Sequence, residues 1–168
     1  MTLYIGLMSG TSMDGIDAAL VDVSKNTLLY GITNKYSDEV KARMDRLLKG
    51  DGVSLASMCQ LNTLIGREFA YVVNELLEKA KLSASDISAI GSHGQTVCHN
   101  TSCDIPYTLQ LGCAHTISTL TGITVVADFR TRDLVLGGQG APFAPIYHRK
   151  LFNDGNHHIA VVNVGGIS

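Results

Sequence analysis

Leu3-Tyr4-Ile5-Gly6-Leu7-Met8-Ser9-Gly10-Thr11-Ser12-Met13-Asp14-Gly15-Ile16-Asp17-Ala18-Ala19-Leu20-Val21-Asp22-Val23 opens the chain with two apolar runs joined by a turn of small and polar residues. Leu3 to Met8 and Ile16 to Val23 are short enough to be strands, and the glycine- and hydroxyl-rich segment between them reads as a turn. A third strand is expected at Thr27 to Thr33, after the turn residues Ser24-Lys25-Asn26. The three form an antiparallel meander.

Outward from this meander the period changes. Ser37 can cap a helix in which Val40, Met44, Leu47 and Leu48 recur at helical spacing before Gly50. A longer helix starts near Ser54, with Leu61, Leu64, Ile65, Val72, Val73, Leu76 and Leu77 as its apolar stripe. Asp86 to Ser92 reads as a strand entering a loop, His93-Gly94-Gln95-Thr96. Thr108 to Leu111 follows as a short extended piece, Cys113 to Thr121 as a helix closed by Gly122, and Ile123 to Phe129 as a buried strand. The order is approximately βββαβαβα, an α/β layer with an antiparallel start and a parallel continuation. From Leu134 a glycine-rich segment, Gly137-Gly138-Gln139-Gly140-Ala141-Pro142, leads through an apolar stretch to a further strand, Ile159 to Val164. That strand runs into a glycine turn at the last residue, an unusual terminus, so the chain reads as truncated.

With 168 residues, 45% of them hydrophobic, the chain has room for one full domain, or for one domain and the start of another. The formal net charge of -2 gives no electrostatic footprint for nucleic acid or an anionic membrane. Ile123 to Ala127 and Ile159 to Val162, the longest apolar runs, fall far short of the roughly 20 residues of a membrane helix. No secretory peptide is visible, so the expected address is the cytoplasm. Cys59, Cys98, Cys103 and Cys113 read as reduced thiols, and neither they nor the histidines show paired zinc-ligand spacings.

Three segments can carry chemistry. In the first turn, glycines let the backbone approach a ligand and three hydroxyls can donate hydrogen bonds, as in a phosphate cradle. It lacks the lysine and spacing of a P-loop, and an ordinary hairpin turn explains its composition equally well. Asp14 and Asp17 beside it suit a hydrated Mg²⁺. Ser92-His93-Gly94-Gln95-Thr96 lies at the end of a strand, and Gln95 and Thr96 offer groups suited to sugar hydroxyls or an amide. For His93 a structural role is the simpler reading. Arg130 and Arg132 leave a core strand and can form forks to a carboxylate or phosphate, or else pair with Asp128 and Asp133.

Five segments together resemble one family, the anhydro-N-acetylmuramic acid kinases of the actin-like/hexokinase-like ATPase superfamily. They are Tyr4 to Asp17, Ile90 to Thr96, Leu109-Gln110-Leu111-Gly112, Gly122 to Arg130, and Gly137 to Pro142. Any one of these glycine loops is weak evidence; five in this order along the whole chain are specific. The sequence departs from the family pattern at Thr131, where a further basic or polar residue often follows the arginine.

The resemblance implies a ribonuclease H-like ATPase domain, a mixed five-stranded sheet flanked by helices, over residues 1–133. Residues 134–168 would be a connecting segment and the first strand of a second such domain. It implies a kinase that uses ATP and Mg²⁺ to open 1,6-anhydro-N-acetylmuramic acid with water and phosphorylate O6, in peptidoglycan recycling. Gly10, Thr11, Ser12, Met13, Asp14, Gly15, Ile16 and Asp17 would form the first phosphate loop, with Asp14 serving the metal. Gln95, Thr96 and Arg130 would line the sugar pocket. The catalytic aspartate would lie in an Asp-x-Gly-Pro-Gly-Asn stretch beyond Ser168, so this chain alone would be inactive, and the full-length parent would be a homodimer. The alternative is a non-catalytic sugar- or nucleotide-binding regulator.

Overall fold

The structure is a computed structural model and describes residues 2–152, 155 and 157–162. Strands β1 (Leu3–Ser9), β2 (Ile16–Asp22) and β3 (Thr27–Asn34) form the expected antiparallel meander. Period-two alternation decides which face of each strand is buried. Leu3, Ile5, Leu7 and Ser9 of β1 point inward, as do Ile16, Ala18 and Leu20 of β2. Helices α1 (Asp38–Lys49) and α2 (Leu55–Ala80) follow. Their N-caps are those read from the sequence: the side chain of Ser37 accepts the Val40 N–H, and that of Ser54 accepts the Ser57 N–H. Gly50 ends α1 in the left-handed conformation.

The core lies between the sheet and these helices. Ile65, Phe69, Val73 and Leu76 of α2 are fully buried, together with Met44 of α1 and Ile5, Leu20 and Ile90 of the sheet. Against the same core sits α3 (Ala114–Thr121), through Ile117, and Gly122 closes it at φ +71°. Gly66 allows the close approach of α2 to the segment before α3: a Cβ there would lie 2.9 Å from the Cys113 carbonyl oxygen.

The sheet has six strands in the order β3-β2-β1-β4-β5, with β6 (Val125–Ala127) also on β4, where the sequence suggested five. The sixth is β5 (Tyr107–Leu111), a full antiparallel partner of β4. The supposed loop His93–Thr96 is also strand, because β4 runs unbroken from Ile87 to Asn100. Its first half lies between β1 and β6, parallel to both, and from Gln95 onward it pairs with β5. Gly94, at φ +76°, is the bend between these two sets of partners, and a Cβ there would meet the Leu111 carbonyl oxygen at 2.6 Å.

The buried strand expected at Ile123 to Phe129 shortens to the three residues of β6. Val126 is 54% exposed, because β6 lies at a sheet edge, and Asp128 turns the chain away at φ 57°. Two helices follow, α4 (Thr131–Val135) and α5 (Ala144–Phe152), around the glycine segment. Of the strand expected at Ile159 to Val164, residues 159–162 are exposed and have no strand pairing, and the rest lies outside the described residues.

Candidate functional site

Parallel pairing of β1 with β4 puts Ser9 opposite Gln95, and this register builds the first turn. Ser9 and Gln95 are each 1% exposed. The Gln95 amide is oriented by its partners: Nε2 donates to the carbonyls of Gly10 and Thr96, both at 3.2 Å, so Oε1 must face the hydroxyls of Ser9 (2.6 Å) and Tyr36 (3.4 Å). Burial pushes the Tyr36 phenol well above its ordinary pKa, keeping it protonated and able to donate. The Ser9 hydroxyl also lies 2.8 Å from the Gly15 carbonyl. Both ends of the Gly10–Gly15 turn are thus tied to one buried amide–hydroxyl cluster. Gly15 must be glycine, because a Cβ would lie 2.6 Å from the Asn34 carbonyl oxygen.

Between these anchors the Met13 N–H donates to the Gly10 carbonyl, with Met13 itself at φ 55°. Thr11, Ser12 and Asp14 are exposed at the lip of the turn. Hydroxyls and a carboxylate displayed on an anchored turn fit a phosphate group with a hydrated divalent ion. Asp17 faces away from the core one strand residue later and accepts from the Thr33 hydroxyl at 2.6 Å.

At the other end of the bend is Arg130, between β6 and α4. Its Nε donates to His93 Nε2 at 2.9 Å and its Nη1 to the Gly140 carbonyl at 2.6 Å, while the guanidinium stands 5.5 Å over the Phe143 ring. His93 Nδ1 contacts the Gly94 carbonyl at 3.0 Å, and a carbonyl only accepts, so Nδ1 carries the proton and Nε2 is the acceptor. Burial, with a smaller push from the Arg130 charge, holds the His93 pKa below its ordinary value and favours this neutral form. The suggested pairing of Arg130 with Asp128 or Asp133 does not form. Asp133 instead accepts the Gly140 N–H at 2.6 Å and fits against Gly138, where a Cβ would clash with it, and Asp128 accepts the Thr131 N–H. Among the described residues, Arg130 Nη2 makes no hydrogen bond.

A cleft of about 300 Å³ opens beside His93, walled by Asn62, Ser92, Gln110, Cys113, Asp128 and Thr131. Thr96 stands next to it, half-buried, and its hydroxyl accepts from Gln110 Nε2 at 3.3 Å. The Ser92 hydroxyl is buried at the wall without a hydrogen-bond partner among the described residues, the kind of group a bound polar ligand satisfies. A second, shallower cleft over the exposed sheet face joins Met8, Asp17, Thr33 and Phe129 to the same histidine. In the sequence a structural role is the simpler reading for His93; its hydrogen bond to Arg130, 37 positions away, cannot be read from the chain. Of the residues singled out beforehand, Thr96 and Arg130 are hydrogen-bonded to two residues of the cleft wall, Gln110 and His93, Gly10 to Gly15 form the anchored turn with Ile16 and Asp17 opening β2, and Gln95 lies buried beneath the turn.

Comparison with known proteins adds an independent line. The family model "Anhydro-N-acetylmuramic acid kinase" matches residues 2–168. A relative of that name from Legionella pneumophila subsp. pneumophila is 67% identical over 168 residues, which is 100% of this chain and 46% of the relative. Another from Coxiella burnetii is 47% identical over 165 residues, 98% of this chain and 44% of the relative. The chain therefore spans about half the length of the curated relatives it matches.

Proposed function

The chain belongs to the anhydro-N-acetylmuramic acid kinase family, and from that premise we propose that it forms the amino-terminal part of an ATP-dependent kinase acting on 1,6-anhydro-N-acetylmuramic acid. Residues 1–133 are the first ATPase domain and residues 134–168 lead into the second. The observation that carries this reading is the 67% identity to a kinase of that name across every residue of the chain. A non-catalytic regulator gives no reason for an identity this high to extend over the whole chain.

In this reading the turn Gly10 to Asp17 receives the terminal phosphates of ATP, with Thr11 and Ser12 as donors. Asp14 holds a hydrated Mg²⁺, whose charge offsets that of the phosphates. Gln95 keeps the turn in place from beneath. The sugar lies in the cleft beside His93. There Thr96 and Ser92 meet its polar groups, and the free edge of the Arg130 guanidinium meets the lactyl carboxylate that distinguishes muramic acid from glucosamine. Water adds to the anhydro carbon and gives its proton to the base as the carbon–O6 bond breaks, and the freed O6 takes the terminal phosphoryl group of ATP, releasing ADP. Positioning is most of what such a transfer asks of this half of the protein. The base that activates the water belongs to the remainder of the enzyme, so the chain by itself turns nothing over. The enzyme works in the cytoplasm as a homodimer, with no nucleic-acid or membrane partner. No helix among the described residues is long and apolar enough to cross a membrane.

The test is a comparison of two sugars in the protein extended to the length of its relatives: the anhydro sugar with its lactyl group, and the same sugar without it. Efficient phosphorylation of the first and poor phosphorylation of the second is expected. Equal turnover of both would remove the carboxylate from the recognition scheme.

A further inference from the structure

The Arg130 guanidinium has three of its faces fixed by this chain. Nε is held by a neutral imidazole, Nη1 by the Gly140 carbonyl, and one flat side by Phe143. Nη2 makes no hydrogen bond among the described residues and Nη1 keeps a second N–H, so the Nη1–Nη2 edge is the one left to offer a parallel pair. Arginine meets a carboxylate through two parallel N–H groups, so whichever contact sets the rotation of the guanidinium also sets where a carboxylate must sit. Gly140 and Phe143 belong to the segment after α4, whereas His93 is part of β4, the strand that lines the cleft. The histidine is therefore the link between the sheet and the direction in which Arg130 points.

We propose that His93 is the positioning residue for Arg130, and that protonation of its Nε2 releases the guanidinium and weakens binding of a carboxylate-bearing sugar. The proposal rests on Arg130 as the carboxylate's partner. A proton on Nε2 removes the acceptor and puts two cations face to face. The other titratable groups around His93 are Asp17 of β2 across the exposed cleft, Asp128 ahead of α4, and Cys113 and His115 at the start of α3. None of them makes a hydrogen bond to the imidazole among the described residues, whose ring nitrogens go to Gly94 and Arg130. Because the folded protein already disfavours the protonated ring, the acid limb should lie below the ordinary histidine value of 6.5.

The experiment measures the affinity for the anhydro sugar by calorimetry, and KM and kcat separately, from pH 5 to pH 8 in the protein extended to the length of its relatives. The variants are His93→Gln, whose Oε1 can accept from Arg130 but does not titrate, His93→Leu, which has no acceptor, and Arg130→Lys. In the unsubstituted protein, affinity should fall and KM rise toward acid pH, with kcat at saturating sugar moving less. His93→Leu should bind on the order of tenfold more weakly at pH 8, the size expected for a hydrogen bond to a charged group. His93→Gln should recover most of that loss and lack the acid limb. An acid limb that persists in His93→Gln, or full affinity in His93→Leu, overturns the positioning role. Undiminished binding of the carboxylate sugar by Arg130→Lys overturns the underlying reading of Arg130 instead. Nitrogen-15 NMR of the unsubstituted protein gives a check independent of any variant's folding: the Nδ1–H tautomer at neutral pH is required, and the Nε2–H tautomer contradicts the proposal.

Discussion

Replacing Gln95 by glutamate changes one amide NH2 to an oxygen and leaves the shape of the side chain intact. The site is 1% exposed, and the lost Nε2 is the donor to the carbonyls of Gly10 and Thr96. In the variant one carboxylate oxygen can still accept from Ser9 and Tyr36, but the other faces two carbonyl oxygens. An ionised side chain would be buried against acceptors, so the folded state holds it protonated and raises its pKa above the unfolded value of about 4.3. The sign follows directly. Below that unfolded value both states are protonated and the cost is small; as pH rises the unfolded state ionises first and the folded state loses stability, until the folded pKa is passed. One carbonyl left without a donor and an acid held protonated by burial together should cost about 2–5 kcal/mol near pH 8. Urea denaturation of the variant and its parent at pH 4.5 and pH 8 measures this, with Gln95→Leu as the uncharged control. A glutamate variant within about 0.5 kcal/mol of the parent at pH 8, a typical surface value, would show that the side chain faces solvent or a ligand rather than the Gly10 turn.

Asp14→Asn should lower kcat at saturating ATP and Mg²⁺ while leaving the sugar affinity nearly as it was, since the carboxylate is exposed at the lip of the turn; steady-state kinetics with the sugar and the metal varied separately would reveal an error in this assignment as an unchanged kcat. Gly94→Ala should destabilise the fold by about 2 kcal/mol or more, from the positive φ and the close Leu111 carbonyl, and a melting temperature equal to that of the parent would mean that β4 does not bend there. Asp22 is buried at the end of β2 and accepts both the N–H and the hydroxyl of Ser24, which holds its pKa below the ordinary value. Its folded pKa is the lower one, so its contribution is present above the unfolded value and lost as pH falls through the folded one. Asp22→Asn should accordingly melt earlier than the parent at pH 7, with the difference closing in acid.

The meander, both capped helices and α3 were legible because their signals are local: alternation in β1 and β2, Ser37 and Ser54 ahead of helical stripes, Gly50 and Gly122 behind them. Gly94 misled for an equally local reason. A glycine between polar residues reads as a loop, and only the register of β4 against both β1 and β5 shows that the strand continues through it. The short, half-exposed β6 was misread as a buried strand because its apolar composition does not reveal that it lies at an edge. At the site, the turn and Arg130 could be singled out by residue type, but their supports could not. Gln95 reaches Gly10 across 85 positions and Arg130 reaches His93 across 37, and neither pairing leaves a trace in composition or spacing.

The most direct test follows ³¹P NMR and mass spectrometry of the products formed from ATP and 1,6-anhydro-N-acetylmuramic acid by the protein extended to the length of its relatives. One new phosphomonoester on O6 of a ring-opened sugar should accumulate in step with ADP. ADP released without a phosphorylated sugar, or a phosphate placed on a sugar whose anhydro bridge is intact, would contradict the assignment.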